Sequence, residues 1–90
     1  MLAEIVSTLV STPDICGGKL RIEGTRITLH QIVTLYKQGE SAEEIADHYP
    51  QLNLAQVYSA LTYYHSNQLA VELELRTEKA EAEKLAKEFK

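Results

Sequence analysis

Apolar residues return three and four apart in three consecutive stretches of the chain, and between residues 19 and 23 they alternate with polar ones instead. After Thr28, the set Leu29, Ile32, Val33, Leu35 and Tyr36 follows helical spacing, and Gly39 stands where a left-handed C-terminal cap belongs; a helix over about 29–38 is predicted. After Ser41, the set Ala42, Ile45, Ala46 and Tyr49 predicts a short helix over 42–48, stopped by Pro50, which pushes Tyr49 out of helical geometry. After Asn53, the set Leu54, Val57, Tyr58, Leu61 and His65 predicts a third over 54–66, with Tyr64 towards the core and Tyr63 free. Each start places a capping side chain three residues before Gln or Glu: Thr28 and Gln31, Ser41 and Glu44, Asn53 and Gln56. That spacing lets the two residues satisfy each other's orphaned backbone donors.

The stretch GGKLRIEGTRITLHQ, residues 17–31, reads as extended chain running into a helix start. Leu20 and Ile22 point to one side and Lys19, Arg21 and Glu23 to the other; Glu23-Gly24 permits a reversal, after which Ile27 resumes the apolar face. A short β-hairpin or bent extended arm is expected, with Gly17 and Gly18 as the turn that delivers the chain into it. From Gln68 onward Ala, Glu, Lys and Leu dominate, with Glu72/Arg76 and Glu83/Lys87 at i,i+4 spacing. Val71, Leu75, Ala82, Leu85 and Phe89 approach a heptad pattern, although Leu69, Val71, Leu73 and Leu75 also alternate as a strand would. The organisation expected is a domain over 1–66 and a helical tail over 67–90.

Size allows one modest core, and a chain this small usually leans on a partner or a second copy of itself. No apolar run approaches the roughly 18 residues of a membrane span, and Glu4 stands where a signal peptide would carry lysine. A single cysteine, Cys16, permits no internal disulfide. A cytoplasmic protein is expected.

Charge complicates the functional reading. The chain has 13 acidic and 9 basic residues, for a net charge of −4, and residues 41–66 hold Glu43, Glu44 and Asp47 with no lysine or arginine. Yet the second and third predicted helices, with their turn at Pro50, have the spacing of a helix-turn-helix, whose second helix enters the DNA major groove. Helical projection brings Gln56, Ser59 and Tyr63 together on a polar face, where Gln and Ser can bond to base edges and Ala55 or Ala60 can abut a thymine methyl. Phosphate neutralisation would then fall to Lys19, Arg21 and Arg26 of the arm. The competing reading makes these a solvated helix face and solvated hairpin positions.

The ordered motifs Gly-Gly-Lys, Gly-Thr-Arg-Ile, Gly-x-Ser-x-Glu-Glu-Ile, Tyr-Pro and Val-x-x-Ala-Leu-x-Tyr-Tyr, between Ile15 and His65, resemble those of the bacterial family of unknown function DUF433. The resemblance implies a homeodomain-like helix-turn-helix core, frequent dimerisation, similarity to VapB-type antitoxins and a PIN-like nuclease toxin encoded nearby. It also implies that Gly18, Lys19, Gly24, Thr25 and Arg26 form a signature arm, and that Glu44, Ile45, Tyr49 and Pro50 set the helix-turn-helix. Leu20 and Glu23 depart from it, because many relatives have proline and arginine there.

Little else suggests chemistry. His30, His48, His65 and Cys16 have no adjacent-ligand spacing, so neither a metal nor a cofactor is expected, and no nucleophile has a base beside it. The expected fold is mainly α: a three-helix core with an N-terminal β-hairpin or extended arm and a C-terminal helix. The expected function is that of an antitoxin-like regulator, not an enzyme. It would bind operator DNA through Lys19, Arg21, Arg26, Gln56, Ser59 and Tyr63. Its tail residues Val71, Leu75, Ala82, Leu85 and Phe89 would engage the nuclease, with Val71 and Leu75 also helping to hold the helix near the core and Leu85 and Phe89 left for the nuclease, and the chain would pair as a homodimer. The alternative is an interaction or dimerisation module without DNA binding.

Overall fold

The computed structural model of the chain describes residues 9–88. Two short strands, β1 (Leu9–Val10) and β2 (Arg21–Ile22), precede four helices: α1 (Leu29–Lys37), α2 (Ala42–His48), α3 (Leu54–Ser66) and α4 (Gln68–Glu88). All three predicted capping boxes form: the side chains of Thr28, Ser41 and Asn53 each accept from the backbone N–H three residues on, and their own backbone N–H groups donate to the side chain of that residue. Local sequence therefore sets where α1, α2 and α3 begin. Gly39, with φ +100°, ends α1: its N–H donates to Tyr36 and that of Glu40 to Leu35, a pairing that needs the left-handed conformation glycine adopts without a Cβ penalty.

The arm is a hairpin stitched into the domain. Ile22 N–H donates to the Ile27 carbonyl at 2.9 Å, and Leu29 N–H, at the start of α1, donates to Leu20 at 2.9 Å. The reversal falls at Glu23-Gly24 as expected, with Thr25 N–H closing the turn on Ile22 and Gly24 at φ +80°. The expectation omitted β1, which pairs antiparallel with β2 in the register Leu9 to Ile22 and Val10 to Arg21.

The core gathers Ile22 and Ile27 of the arm, Leu29, Ile32 and Val33 of α1, Ala42 and Ile45 of α2, Leu52, and Val57, Ala60, Leu61 and Tyr64 of α3. Val71 of α4 completes it at 1% exposed. On α3 the observed stripe differs from the predicted one. Ala60 and Tyr64 are buried, whereas Leu54 and Tyr58 are 42% and 50% exposed and His65 is exposed. The stripe is thus turned by roughly 65° about the helix axis. A small Ala60 lets α3 approach the core closely. Tyr64 packs edge-on to Tyr36, and its hydroxyl donates to Glu72 of α4.

Candidate functional site

A single residue, Asn67, separates α3 from α4, and the turn there sends α4 back across α1. The order of contacts gives its course. Glu72 meets Lys37 in the last turn of α1 at 2.5 Å, and Glu74 and Glu78 meet His30 in its first turn at 2.9 and 2.8 Å. Glu78 also pairs with Lys19 of the arm at 2.5 Å. Beneath these carboxylates Val71 is buried and Leu75 packs on the core half-buried. One face of α4 therefore combines apolar anchors with three acids aimed at Lys37, His30 and Lys19. Helix dipoles add to the arrangement at His30, because Glu74 and Glu78 lie near the positive end of α1.

The electrostatics follow from these pairs. The Lys37 ammonium beside Glu72, with the Tyr64 hydroxyl donating to it, holds the Glu72 carboxyl below the usual carboxylate range. Partial burial pushes Glu78 up, but Lys19 and His30 outweigh it and keep Glu78 below its ordinary value. Tyr64 is pushed up to about 12, first by its hydrogen bond to Glu72 and then by burial. Glu43 beside the Tyr58 hydroxyl raises that phenol as well.

From Lys79 to Glu88 α4 runs on as helix with every residue exposed. Ala82 and the half-exposed Leu85 lie on this overhang; Phe89 lies outside the described residues. Val71 is buried in the core, where it holds α4 as expected, and the part of the expectation that gives it to a partner is corrected: its side chain is not left to meet one. Leu75 packs on the core too, and stays half-buried. The hydrogen bonds of Glu72 go to Lys37 and Tyr64, while Arg76, at its expected i,i+4 spacing, still helps through space to hold the Glu72 carboxyl low.

The six residues expected on DNA differ in their surroundings. Arg21, expected on the solvent side of the arm, is 8% exposed: its guanidinium donates to the Thr25 carbonyl at 3.2 Å and to Thr12 Oγ1 at 3.0 Å. Pairing with β1 and the loop at Thr12 cover this side of β2, which an isolated hairpin would leave open. Lys19 is engaged by Glu78, and Arg26 is exposed with no ion pair among the described residues. On α3 the rotated stripe draws Tyr63 against the core, Ser59 is half-buried, and Gln56 closes the cap on Asn53 N–H at 2.8 Å. Ala60 is wholly buried and cannot meet a thymine methyl, although Ala55 is exposed.

Sequence reasoning missed His30, Lys37 and the carboxylates of Glu74 and Glu78. The available signal was the recurrence of acids at 74 and 78 beside the apolar positions 71 and 75, a charged edge along an anchoring stripe. No group of three or more His, Cys, Asp or Glu side chains is placed to hold a metal ion among the described residues. No helix among them is long and apolar enough to cross a membrane.

Comparison with known proteins places relatives around this arrangement. The model of the family described as protein of unknown function (DUF433) matches residues 9–64. A crystal structure of a DUF433 member protein from Anabaena variabilis superposes with a TM-score of 0.71 at 31% identity, covering 79% of this chain and 70% of that one. The uncharacterized protein y4eO of Sinorhizobium fredii is 29% identical over 68 residues, 76% of this chain. The match spans 31% of that relative's own length.

Proposed function

The chain belongs to the DUF433 family, and for this member we propose a protein-interaction role in which the projecting end of α4 is the handle for a partner protein. The observation that carries this reading is the exposure of every residue from 79 to 88 on a helix that continues for about 15 Å past Glu78. An isolated helix of such length is marginal in water, so the seated half serves to present the overhang. Ala82 and Leu85 on the overhang continue the spacing of Val71 and Leu75, which supports an apolar contact with a partner. A PIN-like nuclease encoded beside the gene is the partner that the antitoxin resemblance suggests, and a second copy of the chain is the alternative occupant.

The test is titration of the full chain into that nuclease, with hydrogen exchange read along α4. A complex that protects residues 79–88 and suppresses nuclease activity is expected, with Leu85→Glu abolishing both. Formation of a complex that leaves these amides as exposed as before would overturn the role of the overhang.

DNA binding is the second reading, favoured by the capped helix, turn and helix of α2 and α3. The charge available to it is small: Arg21 is buried, Lys19 is held by Glu78, and residues 41–66 contribute no lysine or arginine. Duplex DNA affinity set by so few cations should fall with salt with a slope of about −1 to −2 on a log–log plot. A steep slope with a protected operator would restore the regulator reading.

A further inference from the structure

His30 has both ring nitrogens on carboxylates of α4, Nδ1 at 2.8 Å from Glu78 and Nε2 at 2.9 Å from Glu74. A neutral imidazole carries one N–H, so between two carboxylates it donates to one and turns a lone pair towards the other; only the imidazolium donates to both. The remaining charged and titratable groups around the ring are Lys19, already on Glu78, with Cys16, Arg26 and Tyr49 farther along the same seam. Packing is loose here. Grooves of about 510 and 580 Å³, each lined by Lys19, His30 and Glu78, run along the seam between α4 and the arm. The other end of α4 is seated differently, by buried Val71 and by Glu72 on Lys37 and Tyr64, contacts that involve no imidazole.

We propose that His30 is a proton-operated latch for the outer part of α4: its imidazolium closes Glu74 and Glu78 onto α1, and loss of its proton releases the helix from residue 74 outward while Val71 keeps the first turn seated. The closed form binds the proton, so proton release and opening are linked. Protonation of the ring shuts the latch and loss of the proton opens it, so the closed form is favoured at the acid end of the range in which histidine side chains ordinarily change charge, about pH 5 to 8. Release matters because a helix freed from the core frays. The latch belongs to the free chain and operates whether or not α4 has a partner.

Hydrogen exchange on the full chain, expressed as protection factors so that the intrinsic pH dependence is divided out, tests this at about pH 5.5 and about pH 8. In the wild type, protection of amides around residues 75–79 should drop roughly threefold to tenfold at the higher pH, while that of residues around 71–72 holds. His30→Gln should show the low value at both pH values. Glu74→Gln should keep the high value at both, since its side-chain amide donates to a neutral ring nitrogen and accepts from a protonated one. Equal protection of the wild type at both pH values overturns the proposal, as does a wild-type response in the His30→Gln protein. Should that variant fail to fold, a wild-type fall in Glu74→Gln also overturns it.

Discussion

Val71 and Leu85 lie two heptads apart on one helix, in opposite surroundings. Val71 is 1% exposed against the core, whereas Leu85 is 52% exposed on the overhang. Truncating Val71 to Ala removes buried methyl groups and leaves a cavity, so it should cost about 2 kcal/mol in urea unfolding. Leu85→Ala should change stability by less than about 0.5 kcal/mol and be felt only in partner binding. A similar contrast separates two arginines. Arg21→Ala should destabilise by roughly 2 kcal/mol, because it removes donors to Thr12 and the Thr25 carbonyl within the hairpin. Arg26→Ala should leave the unfolding midpoint in place and flatten the salt dependence of any DNA binding by at most about one unit. A folded Arg21→Ala protein of wild-type stability would show that the guanidinium contributes nothing to the hairpin. The alternation of Lys19, Arg21 and Glu23 implies a solvent face, and for Lys19 and Glu23 it holds. It fails at Arg21 because β1, more than ten residues earlier, supplies the cover.

At the scale of elements, α1, α2 and α3 were legible because their limits are written locally: three capping boxes, a glycine C-cap and a proline. α4 was legible as a helix anchored by Val71 and Leu75, but its ionic seating on α1 and the arm was not. Its ionic contacts also give it a pH dependence at both extremes. Glu72 and Glu78 are held below the ordinary carboxylate value, so their contribution is present above that value and lost as pH falls through the lower folded one. Tyr64 has the opposite sign. Raised from 10.0 to about 12, it contributes below its ordinary value, and that contribution is lost as pH climbs towards the folded one. Urea midpoints measured across pH should therefore fall at both ends, and Tyr64→Phe should remove most of the alkaline fall that Tyr64 contributes. An alkaline limb unchanged in Tyr64→Phe would mean that the hydroxyl's bond to Glu72 does not help to seat α4.

For the whole molecule, the extents of 57 × 30 × 26 Å record a small domain with a long helix reaching past it. No described residue beyond Glu78 is buried, so a chain ended after Lys79 should unfold within about 0.5 kcal/mol of the full chain, with the same dependence on urea. Ending the chain after Asn67 strips Val71 from the core together with every carboxylate on His30 and Lys37, and should lower the midpoint markedly. If the chain ended after Lys79 loses stability as well, the overhang is a structural element and the handle reading fails.

Sequence by itself determined the helices, their caps, the hairpin turn at Gly24 and the family motifs, because each depends on residues within a turn or two of one another. It also determined that α4 would be anchored by its first apolar positions. Tertiary structure decided what those elements do for each other. It rotated the buried stripe of α3 by packing Ala60 inward and leaving Leu54 and Tyr58 outside, buried Arg21 under β1, and set the acids of α4 on His30, Lys37 and Lys19 across separations of 35 and 48 residues for two of the pairs. Periodicity records which side of a helix is apolar, whereas charge pairing between distant elements depends on the angle at which the chain returns, and here the bend at Asn67 sets that angle.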